Sequence, residues 1–424
     1  MAVQISDVNA MFPQIKLKVN EKITELQAFP DHAVRLVKKG TPKATNPKGA
    51  REILKIGENT EIGAIGEGGT YPPGGGRRAV EMLIGYVPLS ISGKVTGDRI
   101  AAAKDAIGAG GMIGGLMMDD YKSLRKQEDI NFCLGDGLFR RGTVLSFSVS
   151  TNTTVTFESA AGAYYIVVGQ FYFIHHPTTF ALHGGGTAFQ CLSKTKTTAV
   201  FAGDMTVATT IAAGDYLVPR ASGGASPESA VNRACRGFSY FAAASGDYYG
   251  VDKDNISEAR GLRLNAGGDM ISHPLMEQTN SLYSFRWGSA PVMSSQTDFT
   301  SPTQIEGYKL NGYPLRRVDG PSYKNYDGAI ERVTDGNRMQ VIDPFFADTV
   351  WYRVMMEYVS QYVFIEEGTW DLDGLEARAP QDTGGIVDAL LYIIRKKNQF
   401  ADINPGSLIE IFGLGTSGLV TKTT

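Results

Sequence analysis

A Gly/Pro-rich stretch, Glu58-Asn-Thr-Glu-Ile-Gly-Ala-Ile-Gly-Glu-Gly-Gly-Thr-Tyr-Pro-Pro-Gly-Gly-Gly-Arg-Arg78, runs straight into a strand-like segment and then into a long helix-like one. Gly63, Gly66, Gly68, Gly69, Pro72, Pro73 and Gly74 to Gly76 forbid a helix in the stretch itself. Val80 to Val95 carries β-branched and aromatic residues and predicts a strand, with Pro88 restricting it to an edge. Thr96 is a good helix N-cap, with Asp98 in the first turn. Ile100, Ala103, Ile107, Met112, Ile113, Leu116, Met117, Tyr121 and Leu124 then keep a helical beat as far as Phe132. The glycines between Gly108 and Gly115 weaken or bend this helix, at about 1 kcal/mol each relative to Ala. Gly135 to Gly137 end it. An isolated two-stranded hairpin is marginal in water, so one of this length is expected to be ordered from outside its own chain. Such a hairpin feeding a long helix suits a subunit that overlaps its neighbours better than a catalytic pocket.

Composition narrows the classes further. The 424 residues suffice for two or three domains' worth of core, and 42% of them are hydrophobic. The formal net charge of −3 argues against a sequence-independent nucleic-acid binder, which needs an excess of Lys and Arg. Cys133, Cys191 and Cys235 are odd in number and far apart, so buried thiols in a reducing compartment are expected. Met1 to Asp7 has no basic segment leading to an apolar run, and no stretch is apolar enough to span a membrane. A soluble chain made in a cytoplasm is the expectation. The 50 glycines are spread as loop punctuation, which fits many strands and long loops.

Five segments are expected. Residues 1–55 form an N-terminal arm, with basic, Pro-interrupted Lys38 to Gly49 ordered against neighbours. Residues 56–95 form the extended hairpin, and 96–141 the long helix. Residues 142–220 are β-rich and hold an internal repeat: Thr151 to Phe157 resembles Thr195 to Phe201, and Val167 to Phe173 resembles Ala212 to Val218. Two such units predict a small sandwich or barrel, since one alone could not bury its apolar face. Residues 221–424 open with a turn-rich linker and stay irregular through 246–340. Helices are predicted from Asp343-Pro344 through Val359 and over Gly385 to Phe400, with a closing strand at Leu408 to Phe412.

Chemistry-bearing patterns are weak. His175, His176 and His183 lack a Cys or carboxylate at ligand spacing, so strand-end packing is expected rather than a metal. Gly93-Lys94 fails the phosphate-loop pattern, Gly108-x-Gly110 lies inside the helix run, and no Gly-x-Ser-x-Gly occurs. Asp371-Leu-Asp-Gly374 lacks the later ligands of a calcium loop. Glu366-Glu367 suits a solvated turn. The chain is expected not to be an enzyme and to take no cofactor or metal.

Ile65-Gly-Glu-Gly-Gly-Thr-Tyr-Pro72, Gly85-Tyr-Val-Pro-Leu-Ser-Ile-Ser-Gly-Lys-Val-Thr-Gly97, the helix that follows and Leu134-Gly-Asp-Gly137 together resemble the major capsid proteins of tailed bacteriophages, the Hong-Kong-97-type fold. The resemblance is specific over about 58–137. It implies an α+β fold with an N-terminal arm, an extended β-hairpin loop, a spine helix, axial and peripheral domains, and a β-rich insertion domain. It implies self-assembly through hexamers and pentamers into an icosahedral shell around double-stranded DNA, assembled in a host bacterial cytoplasm. Portal, scaffold and decoration or cement proteins are the implied partners, with no membrane. Glu67, Gly68, Gly69, Tyr71, Pro72, Pro73, Arg77 and Arg78 are then the expected inter-subunit contacts of the loop, the two arginines pairing with carboxylates. No lysine lies between Gly57 and Leu89, so lysine–asparagine cross-linking from this loop is not expected. No long helical scaffold segment precedes the arm, so a separate scaffold, or a processed chain, is expected. An encapsulin-like nanocompartment and a phage tail or decoration protein are the alternatives.

Overall fold

The computed structural model describes residues 33–41, 44–46, 48–57, 79–96, 106–137, 139–157, 163, 165–177, 179, 182–183, 187–195, 197–206, 211–220, 234–288, 295–312, 338–343, 345–370, 381–382, 385–386 and 389–415. Strands β1 (Lys38–Lys39), β2 (Ala44–Asn46) and β3 (Gly49–Lys55) precede the Gly/Pro-rich stretch, and β4 (Ala79–Gly85) and β5 (Val87–Thr96) follow it. Helix α1 is Ala106–Leu134. Strands β6 (Gly142–Val149), β7 (Thr153–Phe157), β8 (Phe171–His175), β9 (Leu182–His183), β10 (Phe189–Lys194), β11 (Thr198–Phe201) and β12 (Tyr216–Pro219) make the β-rich region. Beyond it come α2 (Phe238–Ala242), β13 (Asp247–Tyr248), β14 (Val251–Asp252), β15 (Leu262–Asn265), α3 (His273–Trp287), β16 (Gln296–Thr300) and α4 (Pro302–Gly312). The chain ends in β17 (Met339–Ile342), β18 (Val350–Met355), β19 (Val359–Trp370), β20 (Gln381–Asp382), β21 (Gly385–Ile386), β22 (Ala389–Asp402) and β23 (Ile409–Phe412).

The central sheet runs β1-β19-β22-β5, so β5 is an edge strand, as Pro88 requires. A second sheet runs β15-β23-β18-β16-β17. Where the two meet, Phe132 of α1 and Phe238 of α2 lie 4.7 Å apart, ring to ring, and Phe132 lies 4.4 Å from Phe400 of β22. Phe299, Phe346 and Tyr352 complete this aromatic core. Gly237 makes the approach possible, since a Cβ there would stand 2.0 Å from the Phe132 carbonyl oxygen. Gly135, at φ 65°, ends α1 and accepts from the Gly237 amide at 3.0 Å.

The β-rich region closes on itself. Its strand order is β10-β11-β7-β6-β12-β8-β9, and β10 also pairs with β8, which makes a six-stranded barrel with β9 appended. The repeat explains the closure. Strand β7 pairs antiparallel with its counterpart β11, Thr153 opposite Phe201, and β8 pairs with its counterpart β12, Phe173 opposite Val218. Equivalent strands paired antiparallel relate the halves by a local two-fold axis. Val155, Phe157 and Ile174 from one half share a core with Ala199, Phe201 and Leu217 from the other. The matching glycines Gly169 and Gly214 both take positive φ, 87° and 97°.

Three expectations are corrected. The first hairpin strand, β3, begins at Gly49, inside the segment assigned to the arm, and pairs with β4 from Gly49 opposite Gly85 to Lys55 opposite Ala79. The helix predicted from Asp343 is two strands, β18 and β19, with a turn at Met356 to Tyr358. The helix predicted over Gly385 to Phe400 is chiefly strand β22. Residues 246–340 hold more order than their composition implies, including α3, α4 and β16. The closing strand is present as β23.

Candidate assembly surface

The hairpin arms present two unlike faces because side chains alternate along a strand. Ala50, Glu52, Leu54, Met82 and Ile84 point inward and are buried. Arg51, Ile53, Glu81 and Leu83 point outward, and Ile53 and Leu83 remain 45% and 49% exposed. The Arg51–Glu81 ion pair at 3.2 Å frames these apolar side chains. Among the described residues nothing covers this exposed apolar pair. The tip itself, including Glu67, Gly68, Gly69, Tyr71, Pro72, Pro73, Arg77 and Arg78, lies outside the described residues, as does the arm before Ala33.

The root of the hairpin is anchored. The Leu83 amide donates to the Tyr249 carbonyl at 2.9 Å. Tyr86 stacks on Phe364 at 5.5 Å, and the Lys397 ammonium sits 5.0 Å from that ring. Beside the root lies a cavity of about 560 Å3 lined by Leu83, Tyr86, Pro88, Arg236, Asp247 and Tyr249, among others. Arg236 lies 4.1 Å from the Tyr240 ring centroid and 5.3 Å from that of Tyr249.

Helix α1 is bolted to the central sheet through buried polar contacts. Glu128 is fully buried and accepts from Lys396 Nζ at 2.8 and 3.0 Å, Asn398 Nδ2 at 2.6 Å and Gln361 Nε2 at 2.8 Å. Burial alone would raise its pKa, but the Lys396 and Arg125 charges and the hydrogen bonds hold it below the ordinary carboxylate range. The next residue, Asp129, accepts from the Val34 amide at 3.2 Å. At the other end, Tyr392 donates to Asp120 at 2.6 Å. A Cβ on Gly93 would stand 2.2 Å from the Tyr392 ring, which accounts for the glycine of Gly93-Lys94: it admits a tyrosine rather than a phosphate. A second buried pair, Arg353 to Asp298 at 2.9 Å, joins β18 to β16, and Arg353 also donates to Thr279 of α3 at 2.6 Å.

The chemistry-bearing candidates stay apart or become packing. His175 is buried and stacks on Tyr216 at 5.8 Å. His183 Nδ1 meets Asp215 Oδ2 at 2.7 Å, a carboxylate that sequence spacing did not bring to it. Among the described residues no group of three metal-ligating side chains gathers. The three cysteines are buried and free, and burial pushes all three thiols up. Gly108 and Gly110 lie within α1, as expected. The Glu366 and Glu367 side chains and Asp371 to Gly374 lie outside the described residues. Among the described residues no helix is long and apolar enough to cross a membrane. Sequence reading missed Glu128, Lys396, Asn398 and the Arg353–Asp298 pair. In β22 burial alternates with a period of two, so that Tyr392, Ile394, Lys396, Asn398 and Phe400 all point inward.

No family model matches the chain, and a search of curated proteins finds no relative. Solved structures do match. A chain of the Cyanophage A-1(L) capsid asymmetric unit is similar at a TM-score of 0.52 and 11% identity, covering 91% of this chain and 94% of that one. A structure from Mycobacterium phage Bobi matches at 0.44 and 8% identity, covering 91% of each chain. The virus-like particle from Pyrococcus furiosus matches at 0.37 and 5% identity, covering 93% of this chain and 98% of that one. On the first of these, and over nine-tenths of its length, the chain has the mixed α and β fold found in a phage capsid.

Proposed function

We propose that the chain is the major capsid protein of a tailed bacteriophage, self-assembling through hexamers and pentamers into an icosahedral shell around double-stranded DNA. The observation that carries the proposal is the likeness, at both chains' nearly full length, to a phage capsid subunit. The outward face of β3 and β4 supports it, because Ile53 and Leu83 need a neighbour to cover them. In this reading residues 56–95 are the extended loop, with its arms starting at Gly49. Helix α1 is the spine of the peripheral domain, the barrel of 142–220 is the insertion domain, and 221–424 supply the axial domain and the rest of the peripheral one. The tip residues Glu67, Gly68, Gly69, Tyr71, Pro72, Pro73, Arg77 and Arg78 contact the adjacent subunit. The chain performs no catalysis. Portal, scaffold and decoration proteins are its further partners, and assembly takes place in the host cytoplasm.

Near-neutral charge supports this reading, since a shell has to contain DNA and release it. Many modest interfaces per subunit supply its strength. Negative-stain electron microscopy of the expressed protein, alone and with a candidate scaffold, is the test. Closed shells or capsomer rings support it, and DNA as the content separates a phage capsid from a cargo compartment. A monodisperse monomer or dimer under both conditions refutes it.

A further inference from the structure

The local two-fold axis gives the barrel two equivalent corners, and they differ in what covers them. At the first, Tyr216 of β12 lies opposite His175 of β8, and the two rings stack at 5.8 Å. Both residues are buried, and Tyr216 and Val218 pack against Phe139, in the segment that leads from α1 into β6. At the second corner the counterparts of Tyr216 and His175 are Phe171 and Arg220. The Arg220 amide donates to the Phe171 carbonyl at 2.8 Å, and its guanidinium lies 5.9 Å from the Phe171 ring. Here both residues are exposed.

The second corner also carries larger apolar side chains. The turn before β8 holds Val167 and Val168, where its counterpart before β12 holds Ala212 and Ala213. The Gly169 amide donates to the Cys191 carbonyl at 2.8 Å, which sets Leu192 of β10 beside that turn. Leu192 is the extra residue of a bulge between Cys191 and Ser193, and a bulge re-aims a side chain out of the regular ladder. Val167, Val168, Phe171 and Leu192 are between 40% and 55% exposed. Two cations flank them. Lys194 Nζ donates to the Ile166 carbonyl at 2.7 Å, so its ammonium stands at the same turn. Arg220, over Phe171, makes no ion pair among the described residues.

We propose that this open corner docks a separate protein, through a segment that carries a large apolar side chain beside a carboxylate. The apolar side chain takes the place over Phe171 that Phe139 takes over Tyr216. The carboxylate answers Arg220, whose planar fork suits it. Charge argues against a second copy of this chain. Two copies joined symmetrically through this corner would set Arg220 against Arg220 and Lys194 against Lys194, and like charges facing each other across an interface are costly. The hairpin's apolar pair, Ile53 and Leu83, does not supply the missing acid either, since Glu81 beside it is already paired with Arg51. The proposal stands on the barrel alone, independently of shell assembly, and is tested on unassembled full-length subunits.

The probe is a blocked peptide with the sequence of the segment that carries Phe139, Leu-Gly-Asp-Gly-Leu-Phe, its phenylalanine fluorinated and its 19F line width followed as subunits are added. Saturable broadening is expected, with an affinity of the order of millimolar. Phe171→Thr should weaken it roughly tenfold or more. Arg220→Gln, at an exposed position, should weaken it about two- to fivefold, and should have no effect on a peptide with Asn in place of its Asp. Both variants should melt within about 1 °C of the native subunit, since neither loses a cover. Absence of saturable broadening, or equal broadening with both variants, overturns the proposal. A melting temperature several degrees lower in Phe171→Thr overturns it too, because the chain's own residues then cover the corner. Self-association of the native subunit that Phe171→Thr abolishes, read by sedimentation, assigns the corner to a second copy and likewise overturns it.

Discussion

Replacing Lys396 with methionine separates two roles that a buried ion pair can play. Lys396 is 3% exposed, and its ammonium meets both oxygens of Glu128, itself 0% exposed. Methionine keeps the length and the packing but leaves the buried carboxylate with only Arg125, at 3.5 Å, as counter-charge, which costs about 3–5 kcal/mol. With an unfolding entropy of about 2.1 cal/mol/K per residue, the whole chain as one cooperative unit has roughly 0.9 kcal/mol/K, so the melting temperature should fall by about 3–6 °C. The partner change, Glu128→Gln combined with Lys396→Met, leaves no buried charge and should recover at least half of that loss, giving a strong non-additive coupling. The pH dependence has a definite sign. Glu128 is held below its ordinary value when folded, so its stabilisation is present above the unfolded pKa and is lost as pH falls through the folded one. The gap between native chain and Lys396→Met should therefore be full at neutral pH and shrink in acid below about 4. Scanning calorimetry of unassembled subunits reads all three quantities. A single-variant shift below about 1 °C, or a double variant as unstable as the sum of its parts, would refute this account of how α1 is held.

Three further outcomes follow from other parts of the molecule. Asp402 is buried at the end of β22 and burial raises its pKa to about 7, so its contribution is full below the unfolded pKa near 4 and is lost as pH rises to 7; Asp402→Asn should flatten that decline in a melting series between pH 4 and 8. Gly237→Ala forces a methyl into the Phe132 carbonyl and should cost several kcal/mol, of the order of 3 or more, visible as loss of soluble protein. Ile53→Asp with Leu83→Asp alters only the outward hairpin face; the subunit's melting temperature should move by less than about 1 °C while particles, counted by electron microscopy, disappear.

What the sequence made legible was local. The β5 strand, α1 and its glycine stop, the repeat with its paired glycines and the closing strand all carry signals within a dozen residues. The errors share a different cause. In β22 the inward positions include Lys396 and Asn398, placed there because Glu128 of a helix far away in sequence needs them. Their polarity hides the two-residue alternation, leaving Leu390, Ile393 and Ile394 to look like a helical face and Arg395 to Lys397 like its basic end. In β18 the central position in the sheet buries consecutive residues from Trp351 to Met355, Arg353 included, and an unbroken run has no period to read. The hairpin's first strand is hard to read in sequence because Gly49 to Lys55 mixes charges with apolar residues on two unlike faces, which composition averages away.

The bolt between Glu128 and Lys396 spans 268 residues of chain. At a synthesis rate of 5–20 residues per second, roughly 15–50 s pass between the emergence of the helix and that of its last strand. Throughout that interval Glu128 has Arg125 of its own helix but not Lys396, and β5 waits for the partner that β22 supplies. A chain cut short anywhere before Ala389 cannot close the central sheet. Closure of the central sheet is thereby tied to synthesis of β22, the strand that joins β19 to β5.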